Sequence, residues 1–154
     1  VAAEFKGYQL DKNGNPVKDA LVELWQADDH GTYIHTKGAA QGERDPGFQG
    51  YGKFETAKDG GWKFRTIQPG LYTGRTRHYH FGITLKGQPR FTTQLFFKDE
   101  PGNATDGVLR NLKEDKERDA VLRAFQPVAG TKELAATWDI VMGVTPGDGP
   151  EGGK

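Results

Sequence analysis

The chain contains no cysteine. Disulfides and thiolate metal ligands are therefore excluded, and any metal must be held by imidazole, phenol, carboxylate or amide groups. Long hydrophobic runs are also missing. Nothing approaches the roughly 20 apolar residues a membrane-crossing helix needs, and no charged-then-apolar signal pattern occurs, so no membrane partner is expected. Net charge is absent too. Lys plus Arg and Asp plus Glu are both 21, which gives no reason to expect a nucleic acid or another polyanion. A small-molecule substrate fits this balance better.

What the sequence has in excess is glycine. Twenty-two glycines and eight prolines in 154 residues punctuate short apolar runs, the pattern of an all-β fold with many turns. This length fits one domain that buries roughly 70% of its unfolded surface. Strands are expected at Phe5 to Leu10, Ala20 to Gln26, Gly52 to Thr56, Trp62 to Thr66, Arg77 to Leu85, Arg90 to Phe97 and Leu134 to Met142. The architecture they suggest is an antiparallel two-sheet β-sandwich with long loops and little helix. Asp59-Gly60-Gly61 reads as the turn of a hairpin between the third and fourth strands, and Trp25 reads as a core residue. Residues 99 to 126 carry a partial helical stripe beside the charge run Asp115 to Asp119, which is expected on the surface. Residues 1–144 form the expected domain. Thr145 to Lys154, with four glycines and two prolines, reads as a disordered tail or the start of a linker to a further domain. Val1-Ala2-Ala3 is compatible with signal cleavage as well as with an arbitrary start, which leaves the compartment open with a lean towards secretion.

The stretch Tyr72 to His80 concentrates the chemistry, with a phenol, two guanidiniums and two imidazoles in nine residues. His78 and His80, one residue apart on an alternating run, project from the same strand face and are within reach of one metal ion. A His-x-His pair alone has a bland reading as two solvated side chains. Tyr72 and Arg75 just upstream, and Gln94 on the next strand, argue for more.

Gln26 to Tyr33, Phe64 to Tyr72, Arg75, His78-Tyr79-His80-Phe81 and Thr93 to Phe97 together resemble the intradiol ring-cleavage dioxygenases, with matching order and most spacings over roughly residues 3 to 142. The resemblance implies a β-sandwich and a non-haem Fe(III) bound by Tyr33, Tyr72, His78 and His80. It also implies cleavage of catechols by O2 to muconate-type dicarboxylic acids, with Tyr72 as the displaceable ligand. Arg75 then stabilises developing charge on the substrate and Gln94 orients it. Two phenolates and two neutral imidazoles suit Fe(III) on general grounds. His30 and His35 occupy no ligand position in the family pattern and read as surface residues.

The sequence departs from the family in three ways. Only Thr73-Gly74 separates Tyr72 from Arg75, where members usually have a longer segment walling the pocket, so a more open site and broad tolerance of substituted, lignin-derived catechols are expected. Tyr79 replaces an aliphatic residue and is expected to pack on the opposite face. The N-terminal helical dimerisation segment of the catechol-specific branch does not occur in this chain, which leaves the oligomeric state open. Two other readings compete. Gly14 to Val22 has the Gly-x-Pro-x-x-x-Ala-x-Val opening of prealbumin-like binding modules, and the two histidines with a carboxylate suit a zinc hydrolase. The first has no use for Tyr72 with the His pair, and the second none for two tyrosines.

Overall fold

The computed structural model describes residues 2–26, 50–69 and 75–147. Its strands are β1 (Ala2–Leu10), β2 (Leu21–Trp25), β3 (Tyr51–Glu55), β4 (Gly61–Ile67), β5 (His78–Thr84) and β6 (Phe91–Phe97). A 3₁₀ turn (Pro101–Thr105) and two short helices follow, α1 (Gly107–Arg110) and α2 (Asp115–Val121). The chain then forms β7 (Leu122–Arg123), β8 (Gln126–Pro127), β9 (Leu134–Thr137) and β10 (Ile140–Val141). Two five-stranded sheets result. One is centred on β1, with β4, β8, β9 and β10, and the other has the order β3-β2-β5-β6-β7. The expected all-β sandwich is what forms, mostly antiparallel, but β1 pairs in parallel with β9 and β10, as does β6 with β7.

Period-2 alternation explains which faces meet. Ala3, Phe5, Gly7 and Gln9 of β1 turn inward, as do Val22 and Leu24 of β2 and Tyr79, Phe81 and Ile83 of β5. The Phe5 ring lies at the centre, with Tyr79 4.6 Å, Phe81 6.0 Å, Phe64 6.1 Å and Trp62 6.3 Å away between centroids. Such aromatic contacts each add about 0.5–1.5 kcal/mol beyond the area they bury. Tyr79 is fully buried and its hydroxyl donates to the Ile67 carbonyl at 2.9 Å, so it packs inward as its place between the histidines requires.

Three local expectations are corrected. β3 and β4 do not form a hairpin: β3 pairs with β2, β4 pairs with β1, and the chain changes sheets between them. The turn itself is present, closed by Ala57 N–H to the Gly61 carbonyl at 3.1 Å with Gly60 at φ +79°. The two strands meet face to face, Phe54 against Phe64 at 6.4 Å, and alternation alone cannot distinguish that from edge pairing. Trp25 is not interior. It lies partly buried on the outer face of the second sheet, over Gly82, where an added Cβ would come within 2.9 Å of its ring. The last strand is broken at Trp138-Asp139, where Asp139 Oδ1 takes the Tyr8 N–H at 3.0 Å in place of a backbone carbonyl.

That break makes Gly7 irreplaceable. A Cβ there would sit 1.5 Å from the Trp138 carbonyl oxygen, a backbone atom of a residue whose own N–H is bonded to the Lys6 carbonyl at 2.9 Å. Gly7→Ala is expected to cost at least the roughly 3 kcal/mol at the upper end of ordinary overpacking, read as a lower urea midpoint at unchanged slope.

Past β6, Leu109 and Val121 are buried and Val108, Leu112, Leu122 and Phe125 pack against the core, so the helical stripe is divided between two short helices and the strand after them. The chain is still hydrogen-bonded after β10: Thr145 Oγ1 accepts from Val141 N at 2.9 Å, and Thr93 Oγ1 donates to the Pro146 carbonyl at 2.8 Å.

Candidate active site

Because Tyr79, Phe81 and Ile83 point into the sandwich, His78, His80 and Gly82 project from the other face of the second sheet. Register then places Trp25 of β2 and Gln94 of β6 on either side of His80, and Phe96 beside His78. The two imidazoles face each other, Nε2 to Nε2, at 3.0 Å with an 81° angle between ring planes. His78 Nδ1 lies 2.6 Å from the Thr76 carbonyl and donates to it. That bond places the ring proton on Nδ1 and leaves the Nε2 lone pair directed at His80. Burial, reinforced by the Arg75 charge, outweighs the Thr76 bond and the Asp106 carboxylate and lowers the His78 pKa to about 4. His78 is thus a neutral donor at pH 7.

The pair fits a metal. Two nitrogens each about 2.1 Å from one ion and meeting it at about 90° are separated by about 3.0 Å, the separation found here. Among the described residues no group of three His, Cys, Asp or Glu side chains gathers around a common point, so further ligands to an ion held here would be of another type or lie elsewhere. The two tyrosines singled out from the sequence, Tyr33 and Tyr72, lie outside the described residues, as do His30 and His35.

Arg75 and Gln94 are brought to the same place. Arg75 Nη2 donates to Gln94 Oε1 at 2.5 Å, and Gln94, buried, stands opposite His80 in the β5–β6 register. Arg77 turns elsewhere: it donates to the Pro69 carbonyl and pairs with Glu100 at 3.4 Å, tying the start of β5 to the end of β4 and to the 3₁₀ turn.

Sequence reasoning missed Asp106. This residue is 1% exposed and caps α1, with Oδ1 accepting from Val108 N at 3.0 Å and Leu109 N at 3.2 Å. Its Oδ2 accepts from Arg75 Nε at 2.8 Å and Thr76 N at 2.9 Å. Burial alone would raise its pKa, but the hydrogen bond and charge of Arg75 together with the Thr76 and Leu109 N–H groups lower it below the usual value, so it is ionised. The only sequence signal was an Asp before Gly-Val-Leu, a capping pattern that says nothing of Arg75.

A family model described as "Dioxygenase" matches residues 2–144. The protocatechuate 3,4-dioxygenase beta chain of Burkholderia cepacia is 35% identical, over 88% of this chain and 62% of that protein. Hydroxyquinol 1,2-dioxygenase of Rhizobium sp. (strain MTP-10005) is 30% identical, over 73% of this chain and 44% of that protein. The chain thus spans less than two thirds of the length of either. Among solved structures, the dioxygenase domain of a dioxygenase carbohydrate-binding protein fusion from Streptomyces sp. SirexAA-E superposes with a TM-score of 0.74 at 34% identity, covering 94% of this chain and 81% of that one. With a match running from β1 through β10 and relatives of this kind, the chain belongs to the intradiol ring-cleavage dioxygenase family.

Proposed function

We propose that the chain cleaves catechols with O2 between their two oxygenated carbons, giving cis,cis-muconate-type dicarboxylic acids, at a non-haem Fe(III) held by Tyr33, Tyr72, His78 and His80. The observation that carries this reading is the Nε2-to-Nε2 approach of His78 and His80 at 3.0 Å, with the Arg75–Gln94 pair beside it, in a member of this family. Ferric iron held there would supply a Lewis-acidic, redox-active centre that makes a bound catechol ring reactive towards O2.

The chain's own groups divide the remaining work. His78, neutral and fixed by Thr76, offers a lone pair without having to lose a proton. Tyr33 and Tyr72 contribute hard anionic oxygens that favour the ferric state over softer metals. Tyr72 would be the displaceable ligand, its phenolate oxygen taking up a catechol proton. The Arg75 guanidinium, preorganised by its bonds to the buried Asp106 and Gln94, stabilises negative charge as it develops on the ring. Gln94, bonded to Arg75 Nη2, sets the direction of that charge and orients the substrate. Because only two residues, Thr73-Gly74, separate Tyr72 from Arg75 where family members usually have a longer segment, substituted catechols, including lignin-derived ones, are accepted.

The test is the visible spectrum of the purified protein with metal analysis, before and after catechol is added under nitrogen. A phenolate-to-iron charge-transfer band that shifts with catechol, followed by muconate when O2 is admitted, is the expected result. A protein that stays colourless after iron reconstitution, or that carries zinc, overturns the reading. A panel of ring-substituted catechols checks the breadth, and turnover of one alone removes that part.

A further inference from the structure

We propose that Asp106 is a positioning residue of this site, one carboxylate that sets both the Arg75 guanidinium and the backbone that aims His78. The inference rests on the function proposed above for Arg75 and the His pair. Oδ2 of Asp106 is shared by two donors, Arg75 Nε at 2.8 Å and the Thr76 amide at 2.9 Å. Holding Nε fixes the plane of the guanidinium and delivers Nη2 to Gln94 at 2.5 Å, leaving the other N–H groups for the substrate. The Thr76 amide is the first link of a second chain, because the carbonyl of the same residue accepts the His78 Nδ1 proton at 2.6 Å. A single oxygen atom thus fixes the two groups on either side of the residue 75–76 peptide.

The carboxylate is itself rigidly held. Its other oxygen is anchored by Val108 N and Leu109 N, and the preceding 3₁₀ turn is pinned by Asn103, whose Oδ1 accepts from Thr76 Oγ1 at 2.8 Å while its Nδ2 donates to the Phe97 carbonyl at 2.7 Å. With both oxygens facing only N–H donors, an amide in place of the carboxylate would confront one pair of donors with its own NH2 in either orientation. Removing the partner also leaves a guanidinium that is 19% exposed without its counter-charge.

Asp106→Ser separates positioning from capping, since a serine hydroxyl still caps α1 but does not reach Arg75. On the full chain loaded with iron, kcat is expected to fall roughly 10- to 100-fold with iron content retained, the usual effect of losing an outer-shell partner. In an Arg75→Ala background the same substitution is expected to cost clearly less than in the wild type, because the part exerted through Arg75 is already lost and only the part exerted through Thr76 and His78 remains. A full, multiplicative loss in that background, or wild-type kcat in the single variant, overturns the proposal. A second readout needs no iron: the Arg75 Nε–H resonance in 1H–15N spectra of the metal-free protein, exchange-protected in the wild type, is expected to lose protection in Asp106→Ser and in Asp106→Asn. Unchanged protection overturns the proposal even if either variant is too unstable for kinetics. Wild-type protein that binds no iron would sink the functional reading instead, while the resonance would still report whether Asp106 holds Arg75.

Discussion

His80→Ala is expected to remove iron from the protein, and with it the charge-transfer colour and turnover, while the fold survives. His80 lies on the outer face of β5, partly exposed between Trp25 and Gln94, and contributes nothing to the aromatic core around Phe5. Its loss therefore costs little packing. The loss to the site is large, because one of the two nitrogens that meet at 3.0 Å disappears. Outer-shell partners cost roughly 10- to 100-fold in metal affinity, and a direct ligand is expected to exceed that range. Metal analysis after dialysis, with the melting midpoint as control, checks the prediction. A variant that keeps one iron per chain and its colour would show that His80 is not a ligand.

Arg75→Ala is expected to separate binding from chemistry in the opposite way, with iron and colour retained and turnover lower by about 10²-fold or more. The guanidinium binds no metal in this reading. It presents a positive charge fixed in advance by Asp106 and Gln94, and such preorganised donors matter most where the reacting group is shielded from water. Arg75→Lys is expected to rescue little. A lysine ammonium cannot reproduce a planar fork whose Nε and Nη2 address two different acceptors. Single-turnover kinetics under saturating O2 would test this, and near-normal kcat in Arg75→Ala would falsify the role.

Much of this was legible in the sequence because strand alternation is a local signal. It placed β5 and β6, put His78 and His80 on one face and turned Tyr79 to the other, and the family resemblance marked Arg75 and Gln94 as companions. What was not legible depends on partners distant in sequence. Asp106 meets Arg75 across 31 residues, and nothing in either local pattern encodes the meeting. The face-to-face packing of β3 and β4 was hidden because a sheet-switching turn and a hairpin share the same glycines and the same alternation. Trp25 looked like core because a large apolar ring in a strand usually is; here Gly82, two residues along β5 from its register partner His80, gives the ring a seat on the outer face.

The placement of β1 bears on how the molecule is made. The strands of the site-bearing sheet all fall between residues 21 and 123, whereas β1 has one edge covered, among the described residues, only by β9 and β10, the last strands of the fold. Tyr8 and Asp139, joined at that edge, are 131 residues apart. On a ribosome the first of these strands to emerge is thus the last of them to be completed, with one edge open until nearly the whole sandwich has been released. Contacts of such long range slow folding and leave strand edges available to other chains in the meantime. The nascent sandwich is therefore most vulnerable to misassociation along β1, in the sheet that does not carry His78 and His80.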